Sequence, residues 1–537
     1  MDKMLSKIAL LNEIGIALSA EKNNQRVLEI ILNGAKKLTS ADGGSIYSLT
    51  DNRELEFEVV STDSLGIVMG GTSGNDIIFP PLPLYVDGEE YLSMVVTHAV
   101  LKDETINIQD AYHAEGYDFS GTRKFDQQTG YRTKSLLTIP MKNHEGDIIG
   151  VLQLINSLDS DSGAVKDFSG SDQQLAESLA SQAAVALTNK KLIDCQKALF
   201  ESLIKLIATA IDEKSPYTGS HCKRLPELTM MIADACHEEQ KGPLAEFQMA
   251  DGDRYELLIA GWLHDCGKVT TPEYVIDKST KLETIYDRIN TLDVRFEVLK
   301  RDARIDYLEK RMIADHADEL ALNQIELEYQ QKIEQLDQDR DFMRRANIGG
   351  EFMSGQDQKR VRDISEYRWH DPEGVHARLL SADELKNLCI PKGTLTPEER
   401  QVINNHISVT IKMLESLPFP KHLKNVPEYA AGHHERMDGK GYPRGLTREQ
   451  MSWQARMMGV ADIFEALTAR DRPYKPGKKL SQCLEILGNM KLDNHIDPDI
   501  FDVFVKDKIY LQYAEKFLIP DQIDEVDHSK IPGYEGG

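Results

Sequence analysis

The spacing of apolar residues changes period along this chain, and the change divides it. The runs "SLLTIPM" (135–141) and "IIGVLQLIN" (148–156) are β-rich and are separated by "KNHEGD". The Glu-Gly-Asp cluster supplies a turn, so the pair predicts a β-hairpin. From Ser171 the period becomes helical. Ser171 and Gln174 form a capping box, and Leu175, Leu179, Ala183 and Ala186 mark a buried face. That helix runs on, because Val185, Leu192, Leu199 and Leu206 recur every seven residues, with Leu203 and Ala210 at the offset position. Asn189 and Gln196 interrupt the offset. The spacing suits a connecting helix over 191–212, either paired with a copy of itself or lying on its own domain.

Beyond the connecting helix the pattern is helical to about residue 518. Residues 279–345 are dense in charge, carry apolar residues at helical spacing and contain neither Pro nor Gly, as in "IELEYQQKIEQLDQDRDFMRR". This predicts a long helical hairpin or coiled coil. "NIGGEFMSGQDQ" (347–358) breaks it, and turn signals follow at Asp371-Pro372 and Pro391-Lys392-Gly393. The expected organisation is an α/β domain over 1–190, a helical domain over 196–518 with an inserted segment at about 279–394, and a poorly ordered tail over 519–537.

Composition narrows the function. The chain has 537 residues, too many for one ordinary core. Its formal charge of −25 disfavours a nucleic-acid polymer as partner. A small anion remains compatible, because metal ions or a local pocket can reverse the field. None of the six cysteines stands in a C-x-x-C pair, which fits a reducing cytoplasm. No apolar run reaches the roughly 18 residues of a membrane span, so no membrane association is expected.

Five segments carry candidate chemistry. "YELLIAGWLHDCGKV" (255–269) ends an apolar helix on His264 and Asp265, with Lys268 at a spacing that reaches over the same site. "LTPEERQVINNHISVTIKML" (395–414) is capped by Thr396 and Glu399 and puts Val402, His406, Val409 and Met413 on one stripe. "AAGHHERMDGKGYPRG" (430–445) pairs His433 with His434 before a glycine-rich turn. "MMGVADIFEAL" (457–467) sets Asp462 in an apolar run, and "SPYTGSHCKRL" (215–225) places His221 at a helix start. Each alone has a structural reading, a satisfied core histidine above all. Together, His221, His264, Asp265, His406, His433, His434 and Asp462 exceed one tetrahedral zinc and contain no thiolate. The set suits two six-coordinate divalent ions, iron or manganese, that clamp a phosphate and activate water for phosphoester hydrolysis.

"HDCGK" (264–268), "HHERMDGKGYP" (433–443) and "ADIFEALTARDRPYK" (461–475) resemble the HD-GYP domains, a branch of the HD phosphohydrolases. The resemblance covers about 196–278 and 395–515. It implies an all-α fold that cuts cyclic di-GMP to linear pGpG, often onward to GMP; some members take the mixed cyclic GMP-AMP dinucleotide. By position it makes the seven residues metal ligands, Asp265 the bridging ligand and Lys268 an active-site lysine. Arg472 and Lys475 match substrate-contacting positions, with a solvated basic turn as the alternative. Some members hold a third metal through a glutamate four residues before the first histidine. That position is Tyr217 here, so two metals are expected. The insertion departs from most members and is read as a partner-binding or dimer-forming arm, and the Gly-Tyr-Pro loop as a second surface for a signalling partner.

The segment "RTKSLLTIPMKNHEGDIIGVLQLIN" resembles the core hairpin of GAF domains, common small-ligand sensors. Asn156, Phe168 and Asp172 fit a signature seen in cyclic-nucleotide-binding members, while Ser157 and Gln173 depart from it. This implies either a small ligand or a ligand-free dimerisation module. Nothing singles out a haem ligand among His98, His113 and His144. The expected protein is multidomain: a GAF sensor, a connecting coiled-coil-like helix and an HD-GYP phosphodiesterase, dimeric and cytoplasmic. A non-catalytic cyclic-dinucleotide receptor and a di-iron redox sensor are the rivals.

Overall fold

The computed structural model describes residues 2–535 apart from 22, 215–220, 315–318, 351, 372 and 471–476. It divides into two compact units, Met1–Leu199 and Phe200–Gly537.

The first unit is built on an antiparallel sheet. Its strands run in the order Ile67–Gly70, Glu54–Thr62, Ala41–Leu49, Ile148–Leu158, Leu136–Lys142 and Ile106–Ile108. The expected hairpin forms two adjacent strands of it, with Ile139 opposite Leu152 and Leu137 opposite Leu154. These residues pack against the helix Asn24–Thr39 through Ile31, Leu32 and Leu38. The signature residues serve the fold. Asn156, at φ 54°, accepts the backbone N–H of Lys134 at 2.7 Å and donates to the Arg132 carbonyl, while Asp172 pairs with Lys7 at 2.7 Å.

The connecting helix is Gly170–Asp212. Its cap differs from the expected one: Asp172 and Ser169 exchange the bonds that Ser171 and Gln174 were expected to make. All four heptad positions are open to solvent, with Val185 38%, Leu192 49%, Leu199 62% and Leu206 63% exposed.

The second unit is mostly helical. The helices His221–Glu238, Asp251–Leu263, Trp453–Thr468, Leu480–Leu492, Pro498–Lys506 and Ile509–Phe517 share one core, centred on Leu228, Leu257, Phe464, Phe501 and Tyr513. The inserted segment has a core of its own. A helical hairpin, Ile289–Ile313 and Glu319–Asn347, buries Phe296, Leu336 and Met343 against Val361, Leu379 and Leu388. The mixed stretch after it forms two short helices and a two-stranded ribbon, Arg368–His370 with His376–Arg378. The insert is therefore a small packed module rather than a bare coiled coil. The tail also departs from expectation. Ile531 and Gln522 are buried, and Asp524 accepts the Ser481 N–H at the start of the helix Leu480–Leu492. Among the described residues no helix is long and apolar enough to cross a membrane.

Candidate metal centre

Five segments of the helical unit deliver the predicted residues to one point. His221 is the first residue of His221–Glu238, and His264 closes Asp251–Leu263. After Asp265 the chain tightens into a 3-10 turn, Cys266–Thr270. Residues three apart eclipse in such a turn, which sets Lys268 over Asp265 with Nζ 2.5 Å from Oδ2. His406 comes from Pro397–Glu415, His433 and His434 follow Val426–Ala431, and Asp462 comes from Trp453–Thr468. On the His406 helix the buried face is His406, Ile407, Thr410 and Leu414. Val402 and Met413, expected to share it, are 43% and 36% exposed. The helix is rotated because Thr410 faces the Gly267 N–H. Arg472, Lys475 and Tyr217 lie outside the described residues.

The imidazoles are oriented by their outer nitrogens. His264 Nδ1 meets the Gly261 carbonyl at 2.8 Å, His433 Nδ1 the Ala430 carbonyl at 2.6 Å, and His406 Nδ1 the Ile403 carbonyl. A carbonyl only accepts, so each Nδ1 carries the proton and each Nε2 turns a lone pair inward. His221 directs Nδ1 to Glu465 Oε2 at 2.5 Å and Nε2 to His264 Nε2 at 3.1 Å. Asp265 lies between two groups. Its Oδ2 is 3.0 Å from His264 Nε2 and 3.3 Å from His221 Nε2, and its Oδ1 is 3.0 Å from His406 Nε2. Asp462 Oδ1 approaches His221 at 3.4 Å, and its Oδ2 approaches His434 at 3.9 Å.

Asp265 Oδ1, His406 Nε2 and His433 Nε2 are buried without a hydrogen-bond donor. Lone pairs facing one another in a buried space are costly unless a cation lies between them. Among the described residues, three groups bring ligand atoms within 4.8 Å of one another: His406, His433 and His434; His221, His264 and Asp462; His264, Asp265 and His433. The residues present therefore fit divalent metal ions with nitrogen and oxygen ligands.

Burial opposes charge on His221, but Glu465 and Asp265 outweigh it and hold its pKa up to about 10. Burial lowers His434 to about 4 and His433 well below its ordinary value. Asp265 and Asp462 would be raised by burial, yet the surrounding imidazoles hold both well below the usual carboxylate range. Lys268 stays charged because the Asp265 carboxylate outweighs the burial that opposes it.

The Gly-Tyr-Pro loop forms a wall beside the centre. The Tyr442 ring lies over His434, with centroids 4.9 Å apart. Gly441 is required by close approach, since a Cβ there would sit 2.4 Å from the Glu435 Cα and the Arg436 N. Buried Glu435 accepts the N–H groups of Arg444 at 2.7 Å and Leu446 at 3.0 Å, which fixes the loop's return. A cleft of about 720 Å³ opens here, lined by His433, His434, Asp462 and Tyr442 with Arg436, Lys440 and Lys478. Sequence reasoning missed Glu435, Glu465 and Arg224. Glu465 carried a signal, since it stands three residues after Asp462 in the same apolar helix.

Fold and site define the class: an α/β sheet unit followed by a helical unit with a His/Asp cluster whose residues fit metal ions. Residues 23–187 match the GAF domain family and residues 380–500 match the HD domain family. The HD match includes His406, His433, His434 and Asp462 and begins inside the insert. A cyclic di-GMP phosphodiesterase of Pseudomonas aeruginosa is 38% identical over 114 residues, 21% of this chain and 26% of that protein. The 3′3′-cGAMP-specific phosphodiesterase 3 of Vibrio cholerae is 33% identical over 138 residues, 26% of this chain and 27% of that protein. A cyclic di-GMP phosphodiesterase of Thermotoga maritima is 33% identical over 119 residues, 22% of this chain and 32% of that protein. The chain thus spans about a quarter to a third of the length of these relatives.

Proposed function

We propose that the helical unit is a cyclic-dinucleotide phosphodiesterase that hydrolyses cyclic di-GMP to linear pGpG and onward to GMP, under control of the GAF domain. The observation that carries the reading is Asp265, whose two oxygens face two separate histidine groups. A carboxylate so placed suits a bridge between two cations. Two divalent ions, iron or manganese, held by His221, His264, Asp265, His406, His433, His434 and Asp462 would supply Lewis acidity and a water of lowered pKa.

The chain's own groups do the rest. Lys268 balances Asp265 and offers a proton donor beside the reacting phosphate. Arg436, Lys440 and Lys478 give the cleft a cationic rim that draws an anionic diester towards a protein of net charge −25. Tyr442 supplies a flat aromatic wall suited to a purine. Arg472 and Lys475 are assigned to the substrate's phosphate or guanine.

The relative named for 3′3′-cGAMP favours a second substrate reading, the mixed dinucleotide. Turnover of both substrates by the manganese-loaded protein, with product identified by chromatography, tests both. H264A/D265A should lose bound metal and all linear product. Cleavage by that variant, or binding of either dinucleotide by wild type with no product, rejects the phosphodiesterase assignment. The open heptad face of Gly170–Asp212 supports a homodimer through that helix. The apolar tip of the insert, with Met312 78% and Ile313 87% exposed, is its proposed partner surface. A cytoplasmic location fits a diffusible second-messenger substrate.

A further inference from the structure

Of the four imidazoles whose outer nitrogen is described, three are braced by a carbonyl of their own segment, three residues back. His221 differs. Its Nδ1 bonds to Glu465, a carboxylate on another helix, at 2.5 Å. Glu465 is 1% exposed, and its second oxygen takes both Nε and Nη2 of Arg224 at 2.7 Å. Arg224 stands one turn after His221 on the same helix, and Asp462 stands one turn before Glu465. The four residues therefore close a circuit between two helices. Asp462 and His221 converge at 3.4 Å on the inside, while Glu465 and Arg224 lock the outside.

We propose that Glu465 is a positioning residue that fixes His221 as a metal ligand and so sets the affinity of the metal position shared by His221, His264 and Asp462. This rests on the reading of the centre as metal-binding. The other group, His406, His433 and His434, takes no bond from Glu465 and keeps its braces without it. A ligand histidine held by a carboxylate is fixed in ring angle and made more basic, and losing such a partner weakens metal binding by about 10- to 100-fold. The electrostatic gain acts on one of two positions, which gives the role a signature that a general loss of packing lacks.

The test is calorimetric titration of the full-length, chelator-stripped protein with Mn(II), with bound metal counted by mass spectrometry. Wild type should bind in two steps. E465Q keeps the size but offers one acceptor where two donors point, and should weaken one step by about 10- to 100-fold and spare the other. E465D keeps the charge on a shorter arm and should fall between them. H221A should weaken the same step, and H221A/E465Q should bind no more weakly than H221A alone. Both steps within about twofold of wild type in E465Q, loss spread over both, or loss that adds to that of H221A would overturn the proposal. If E465Q does not fold, E465D carries the same comparison, and an undiminished first and second step there overturns it. Wild type that takes up no Mn(II) would overturn the metal reading together with this one, whereas two normal steps in both proteins would overturn this one alone.

Discussion

Gly267 lies where the His264–Asp265 turn meets the His406 helix, and G267A measures how closely that contact must be held. A Cβ there would sit 1.9 Å from the His406 carbonyl oxygen, 2.7 Å from the Thr410 N and 2.8 Å from its hydroxyl. Ordinary contact starts at 3.4 Å, so the helix or the turn must withdraw by about 1.5 Å. Two of the three obstacles are backbone, which leaves no flexible side chain to yield first. Overpacking of this kind costs about 1–3 kcal/mol, a tolerable loss for a folded unit of this size. The site is less tolerant. His406 Nε2 and Asp265 Oδ1 are 3.0 Å apart across this seam, and a displacement of roughly 1 Å in a reacting constellation costs about 100-fold in rate. G267A should therefore fold, melt a few degrees lower, and lose about 100-fold in kcat/KM for the proposed cyclic-dinucleotide substrate. G252A is the control, because a Cβ at Gly252 meets nothing within 4 Å. It should leave turnover unchanged and add about 0.5 kcal/mol of stability. Wild-type turnover in G267A would refute the claim that this contact sets the spacing of the two halves of the centre.

Three further outcomes are expected. K278M should destabilise the helical unit by about 1–3 kcal/mol in denaturant unfolding, because Lys278 Nζ is buried between Asn387 at 2.7 Å and Glu399 at 2.8 Å and its loss leaves the Asn387 oxygen without that donor. An unchanged midpoint refutes this. L199D/L206D should convert the proposed dimer to a monomer in sedimentation equilibrium without changing the far-ultraviolet spectrum, since both leucines are more than 60% exposed. Burial raises the Glu29 carboxyl, but the N–H and hydroxyl of Thr72 with Arg26 reverse this and hold it below its ordinary 4.5. Its contribution is full above that value and is lost as pH falls through the lower folded value, so E29Q should melt below wild type at neutral pH and converge with it in acid.

The parts of the fold legible in the sequence were those with strong local periodicity. The 135–156 hairpin and the helix after it follow from alternation and heptad spacing, which local geometry enforces. The ligand set was legible for a different reason. Histidines and aspartates next to apolar helical runs are costly unless paired, so seven of them marked a shared centre. Caps and orientations were less accessible. Ser169 caps in place of Ser171, and the His406 stripe is rotated towards Ile407 and Thr410, because tertiary contacts chose among faces that the pattern left nearly equal. Arg224, Glu435 and the partner of Glu465 were invisible because these roles depend on residues more than 200 positions away or on a loop's return path. The insert's compact core was hidden by its charge. Phe296, Leu336 and Met343 are sparse among Lys and Glu, and the residues they meet come from the later mixed stretch.

The insert separates His264 and Asp265 from His406 in sequence, yet Asp265 Oδ1 and His406 Nε2 meet at 3.0 Å. The geometry of its ends accounts for this. The Thr394 hydroxyl donates to the Lys278 carbonyl at 2.9 Å, so the chain leaves and returns at one place. Lys281 Nζ reaches the Leu388 and Ile390 carbonyls at 3.1 and 2.8 Å, at the negative end of the helix Ala382–Leu388. Asn347, at the foot of the long hairpin, receives the Leu282 N–H on its side chain at 2.8 Å and ties the hairpin to the same point. Closing a long segment costs an entropy that grows only slowly with its length, and the insert's own buried core offsets the ordering of the rest. The outer ends of the flanking helices are thus held as a short loop would hold them. Glu399 is joined to Lys278 by that closure and stands two turns before His406 on one rigid helix. The insert therefore does not disturb the centre, because its closure fixes the helix that carries His406 into it.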